Sequence, residues 1–159
     1  MPRTIRVGSK LPAFTLFDDR GEHVSLESYL GETVVLFFYP KDSSTGCTQQ
    51  ACEFRDRLPR FKKMNAVVLG ISPDTARKHV NFKKKNDLPF TLLVDAEHKV
   101  AERYGIWVQK MLYGHKYMAV ERTTYIVGPD GVVRMIFSKV KIDGHAEDVA
   151  AAVKELGLS

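Results

Sequence analysis

Residues 33–63 read TVVLFFYPKDSSTGCTQQACEFRDRLPRFKK, and this stretch decides the fold. Thr33–Tyr39 is an apolar run with no polar alternation, the pattern of a strand covered on both faces. Beyond Pro40 the polarity rises, and then Ala51, Phe54, Leu58 and Phe61 follow Cys47 at steps of four, three, four and three. That spacing is a helical stripe. Ser43, Ser44, Thr45 and Gly46 stand just before it and suit a loop running into a helix N-terminus.

Outward from this unit the chain alternates. Ala66–Ile71 is a second buried strand, and Ser72-Pro73 reads as an N-cap with a first-turn proline, opening a helix to about Lys85. Thr91–Val94 is a short strand, and Asp95 is placed to cap a helix through Val100 and Tyr104 that stops at Gly105. Thr123–Val127 and Val132–Phe137 flank Gly128-Pro129-Asp130-Gly131, a hairpin signal. Val149, Val153 and Leu156 mark a C-terminal amphipathic helix. Upstream, Phe14–Phe17 and His23–Leu26 flank the turn-rich Asp18–Gly21, an N-terminal hairpin. This order predicts an α/β fold with a mixed central sheet flanked by helices. Gly105–Glu121 has no clear period and is rich in aromatics, Met and Lys. It reads as an irregular stretch, either functional or a covering loop whose Trp107 and Tyr113 pack down.

The chain has 159 residues, 44% hydrophobic and 27% charged, with 24 basic and 19 acidic side chains. One domain over 1–159 is expected at this length. The composition excludes a disordered, collagen-like or disulfide-dense secreted chain. No apolar run approaches the ~20 residues of a membrane span, and Met1–Lys10 lacks the apolar core of a secretory signal. The expectation is a cytoplasmic protein with no membrane partner. The net charge of +5 is modest. Its one cluster, Lys83–Lys85, reads as a solvated helix face, and no nucleic-acid-binding motif accompanies it.

Cys47 and Cys52 are the only cysteines, and as a pair they admit a metal site, a redox couple or two core thiols. The five histidines are scattered without zinc-ligand spacing, so no metal is expected, and the spacing is not Cys-x-x-Cys. Cys47 falls in the first turn of the predicted helix. Unpaired N–H groups and the positive end of the helix dipole favour a thiolate there. Cys52 lies five residues on, which on an intact helix sets the Cα atoms roughly 8–9 Å apart. A disulfide tolerates about 7 Å at most, so bonding between them requires the first turns to unwind. Arg122 opens a predicted strand directly after the irregular stretch and is the preferred cation for the thiolate. From position alone it reads as a strand-edge charge.

The string YPKDSSTGCTQQACEFRD resembles the active-site segment of the peroxiredoxins, whose Pro-x-x-x-Thr/Ser-x-x-Cys pattern falls here on Pro40, Ser44 and Cys47. The second cysteine five residues on is similar to the bacterioferritin comigratory protein, or peroxiredoxin Q, subfamily of atypical two-cysteine type. The similarity continues through GIWVQKMLYGHKYMAVERTTYIVGPDG and the opening GSKLPAFTLFDDRGEHVSL. It implies a thioredoxin-like fold and reduction of hydrogen peroxide and organic hydroperoxides without metal, haem or other cofactor. By the same resemblance Cys47 is the peroxide-reacting thiolate, Arg122 and Ser44 orient it and the peroxide, and Pro40 shields the sulfur. Cys52 is then the resolving cysteine, forming an intramolecular disulfide recycled by thioredoxin or a similar dithiol. Such an internal partner needs no second chain, so a monomer is expected and a dimer is compatible.

Three positions depart from the subfamily pattern. Ser44 replaces the commoner Thr, Thr45 stands where Pro is frequent, and Gln50 stands where Glu is frequent. Two other functions fit a Cys47–Cys52 couple: a protein thiol–disulfide oxidoreductase, and a redox-sensing module whose helix switches for a partner.

Overall fold

A computed structural model of the chain describes residues 5–157. Residues 1–4 and 158–159 lie outside the described residues, and with them part of the Met1–Lys10 segment and both ends of the expected 1–159 domain. The elements, in order, are β1 (Thr15–Asp18), β2 (His23–Ser25), β3 (Thr33–Phe38), α1 (Thr45–Lys63), β4 (Ala66–Ser72), α2 (Ala76–Asn86), β5 (Thr91–Val94) and α3 (Lys99–Arg103). They continue with β6 (Trp107–Leu112), β7 (His115–Val120), β8 (Thr123–Val127), β9 (Val133–Phe137) and α4 (His145–Leu156).

Seven strands form one sheet in the order β2-β1-β5-β4-β3-β8-β9. β3–β4 and β4–β5 pair in parallel, whereas β1–β2, β1–β5, β3–β8 and β8–β9 are antiparallel. This is the mixed, thioredoxin-like α/β fold. The uninterrupted apolar run of β3 has a direct cause: successive side chains enter opposite cores. Val35, Phe37 and Tyr39 meet Phe54, Leu58 and Phe61 of α1, Phe82 of α2 and Val149 and Val153 of α4. Val34, Leu36 and Phe38 meet Phe14, Val100, Tyr104 and Tyr125 on the other face. The helical stripe Ala51, Phe54, Leu58 and Phe61 is buried throughout.

Three local expectations are corrected. Gly105–Glu121 is not irregular: β6 and β7 pair from Trp107↔Val120 to Leu112↔His115 as a separate two-stranded hairpin. Its two-residue turn has positive φ at both Tyr113 (49°) and Gly114 (78°), as a type I′ turn demands. Trp107 packs down, stacked on the His98 ring at 3.6 Å, but Tyr113 is 92% exposed and covers nothing. The second correction concerns α2. Thr75, not Ser72, caps it by accepting the Lys78 N–H. Ser72 is retained by the sheet, paired with Val94 and accepting the Asp95 N–H.

His98, not Asp95, is the N-cap residue of α3, but the two Asp95 carboxylate oxygens reach over it to accept the first-turn Val100 and Ala101 N–H groups at 2.9 Å. Lys83 bonds to Asp19, and Lys84 and Lys85 are exposed at the end of α2.

Candidate active site

The loop from β3 to α1, Pro40–Ser44, leaves the carboxyl edge of the parallel strands. Ser44 ends it as the N-cap of α1, and its hydroxyl oxygen accepts the Cys47 N–H at 3.2 Å. The next N–H, that of Thr48, donates to the Ser44 carbonyl at 2.9 Å. Cys47 is therefore the third residue of the helix, as the stripe predicted, and its side chain is buried.

Sheet register brings the arginine. β8 runs antiparallel to β3 with Thr123 opposite Phe38, so Arg122 stands one residue further along, beside the start of the loop. Its Nη2 donates to Cys47 Sγ at 3.2 Å and its Nη1 to Gln50 Oε1 at 2.5 Å. One guanidinium thus bridges two α1 residues a helical turn apart. Gln50 is a site residue, where the sequence marks only a departure from the frequent Glu. Because an arginine only donates, the amide oxygen must face it, and Nε2 is left buried without a partner among the described residues.

Gly46 lies under the segment that joins β9 to α4. A Cβ there would come within 2.7 Å of Ile142 Cδ1, so a side chain is replaced by this overlying contact. Next to it, Gln49 donates to Asp143. Both contacts hold the first turns of α1 and neither was anticipated.

Pro40, Lys41, Ser44 and Arg122 line an open cleft of about 710 Å³, together with Trp107, Leu112, Tyr117 and Met118 from the β6–β7 hairpin. The structure thus gathers Pro40, Ser44, Cys47 and Arg122 in one place. It does not bring Cys52 to them. Both thiols are free, α1 is continuous through both, and Cys52 is half-buried with Sγ 3.9 Å from Asn86 Oδ1 of α2. Arg55 Nη1 donates to the Asn86 carbonyl at 2.7 Å, which ties α1 to α2 one turn further on.

Behind Arg122, His145 at the start of α4 is buried, with Nε2 2.8 Å from Thr124 Oγ1. Burial pushes its pKa down to about 4, opposed by Asp148 and reinforced by Arg122. At neutral pH it adds no positive charge. No group of three or more His, Cys, Asp or Glu side chains comes together as a metal site among the described residues.

A thioredoxin-like domain that presents a buried thiol to an arginine at a helix N-terminus defines a class, the cysteine-based redox enzymes. Comparison with known proteins narrows it. Residues 7–136 match the AhpC/TSA family. A Coxiella burnetii protein assigned as peroxiredoxin bcp is 48% identical over 146 residues, covering 92% of this chain and 97% of that protein. Peroxiredoxin Bcp of Bacillus subtilis is 43% identical over 153 residues, 96% of this chain and 98% of that one. The solved structure of the Xanthomonas campestris bacterioferritin comigratory protein has a TM-score of 0.86 at 34% identity, covering 91% and 92% of the two chains. The chain belongs to the peroxiredoxins, in their bacterioferritin comigratory protein, or peroxiredoxin Q, branch. Its activity is accordingly that of a cysteine-dependent peroxidase.

Proposed function

We propose that this chain reduces hydroperoxides through a Cys47 sulfenic acid and an intramolecular Cys47–Cys52 disulfide, which an external dithiol such as thioredoxin reduces. The observation that carries the first step is the 3.2 Å contact from Arg122 Nη2 to Cys47 Sγ at the start of α1. The Cys47 thiolate attacks the terminal oxygen of R–O–O–H. An S–O bond forms, the O–O bond breaks, and the electron pair leaves on RO⁻, which takes a proton to become water or an alcohol. Cys47 keeps the OH as a sulfenic acid. Arg122 and the N–H groups of the first turn stabilise charge on sulfur and on the departing oxygen. Ser44 orients the sulfur by holding the Cys47 N–H, and Pro40 walls the cleft.

For resolution, the start of α1 unwinds and the Cys52 thiolate attacks the Cys47 sulfur. The S–S bond forms, the S–O bond breaks, and hydroxide leaves to be protonated to water. Thiol–disulfide exchange with the dithiol restores both thiols. The apolar hairpin side of the cleft suits organic hydroperoxides as well as hydrogen peroxide, and the Xanthomonas campestris relative is described for its alkyl peroxide reduction activity. Because both cysteines belong to one chain, a monomer suffices, and a steady dithiol supply suits the reducing cytoplasm.

The test uses Cys47→Ser and Cys52→Ser. Peroxide is expected to leave Cys47→Ser unturned-over, and to convert Cys52→Ser to a sulfenic acid that dimedone captures as a mass adduct on Cys47. Peroxide turnover by Cys47→Ser, or an adduct elsewhere, overturns the assignment.

A further inference from the structure

Asp42 is the one residue of the Pro40–Ser44 loop that is buried, and it is held by its neighbours on several sides. The Tyr39 hydroxyl donates to Oδ1 at 2.6 Å, and His79 Nδ1 lies 2.7 Å from Oδ2. The Asp42 N–H donates to Asp74 Oδ2 at 2.6 Å, and the same oxygen accepts the Ser72 hydroxyl at 2.7 Å. Tyr39 is 1% exposed and His79 0%. Burial, with Asp42 beside it, pushes the Tyr39 phenol well above its ordinary range, so it remains a donor.

The protons on His79 follow from geometry. Its Nε2 sits 2.9 Å from the Leu93 carbonyl oxygen in β5. A carbonyl can only accept, so Nε2 carries a hydrogen. Nδ1 meets a carboxylate oxygen at hydrogen-bond distance, so a second hydrogen lies between them. The His79 ring on α2 therefore clamps the side chain of Asp42 from beneath the loop.

Ser44 lies two positions beyond Asp42 and Cys47 five. Ser43, the next residue, has φ of 67°, a left-handed conformation that a non-glycine residue keeps only where its surroundings over-determine it. Those surroundings are Asp42 on one side and the Ser44 cap on the other. Releasing Asp42 lets Ser43 relax and shifts the start of α1 relative to the backbone of Arg122, which directly precedes β8.

We propose that His79 is a positioning residue for Cys47, acting through Asp42 to fix the loop that sets Ser44 and the first turn of α1 against Arg122. The inference rests on Cys47 being the peroxide-reacting thiol. A misplacement of about 1 Å at a reacting centre costs on the order of 100-fold in rate, so removing the clamp is expected to slow the first step at least tenfold.

Two substitutions separate positioning from mere filling of space. In His79→Asn the amide nitrogen falls near the place of Nδ1 and keeps a donor for Asp42. In His79→Gln it falls near Nε2, keeping the Leu93 contact and deserting Asp42. Reduced proteins are mixed with hydrogen peroxide in a stopped-flow instrument, with iodoacetamide alkylation of Cys47 measured alongside and a thermal melt for each. His79→Asn is expected within about threefold of the parent and His79→Gln at least tenfold slower, at comparable melting temperatures. Equal rates in the two folded variants overturn the proposal.

Nitrogen NMR of His79 in the parent chain does not depend on any variant folding. It is expected to show Nδ1 hydrogen-bonded to Asp42 through a strongly downfield bridging proton, and an Nδ1 with no hydrogen-bond partner overturns the clamp. A parent protein inert to peroxide contradicts the reading of Cys47, not the positioning, which the alkylation rates still decide.

Discussion

Arg122 Nη1 and Gln50 Oε1 stand 2.5 Å apart, while the other arm of the same guanidinium reaches Cys47 Sγ at 3.2 Å. The arginine is thereby fixed to the helix it serves, and the sulfur is fixed to a charge that does not titrate at any relevant pH. Replacing Arg122 with Ala is expected to slow sulfenic acid formation by well over tenfold, since one well-placed transition-state donor contributes about 2.7–4 kcal/mol. Arg122→Lys should not restore the rate, because a single ammonium cannot bridge both partners. Stopped-flow rates with hydrogen peroxide check this, and a near-parental rate for Arg122→Lys contradicts the bridging role.

Gln50 offers a sharper comparison. Gln50→Leu removes the acceptor and leaves Nη1 unpaired, so the first step should slow several-fold and stability should fall. Gln50→Glu keeps an acceptor for Arg122 and removes the buried, partnerless N–H. A buried unsatisfied donor costs about 1–3 kcal/mol, so Gln50→Glu should raise the melting temperature while Gln50→Leu lowers it. Thermal melts that move both variants the same way contradict this account of the amide.

Resolution requires the first turns of α1 to open, and the contact of Gln49 with Asp143 opposes that opening. Asp143→Ala leaves Cys47, Arg122 and Gln50 in place. A hydrogen bond contributes about 0.5–1.5 kcal/mol, so disulfide formation should accelerate by about two- to tenfold while sulfenic acid formation is unchanged. Sequential mixing with timed acid quench separates the two steps, and an altered first step is the contrary result.

His145 makes stability depend on pH. Burial holds it near 4 in the folded chain, against about 6.5 when unfolded. Between these values the unfolded state binds a proton that the folded state refuses, so stability falls as pH decreases through that window. It is unaffected above it. The loss by pH 4 is at most about 3 kcal/mol. Denaturant midpoints at pH 7 and pH 5 measure it, and His145→Gln should flatten the difference.

Legibility in the sequence tracked local periodicity. Thr33–Tyr39 and the stripe from Ala51 to Phe61 could be read because their burial repeats along the chain. The β6–β7 hairpin could not, since Met111, Leu112, Tyr113, Tyr117 and Met118 are apolar yet exposed and erase the alternation. Tyr113-Gly114 was its one local signal. Ser72 looked like a cap because the ladder that retains it, through Val94, is non-local. Arg122 reaches Cys47 through the Phe38↔Thr123 pairing, which position alone could not reveal. His79 and Asp42, 37 residues apart, carry no signature until the fold closes.

The central claim is that Cys47 reacts with peroxide and Cys52 resolves it within one chain. The most direct measurement is rapid mixing of the reduced protein with one equivalent of hydrogen peroxide, followed by thiol counting and intact mass. The account predicts fast loss of both thiols, a mass lower by two hydrogens and no covalent dimer. Thiols still titratable after mixing, or a disulfide between two chains, would contradict it.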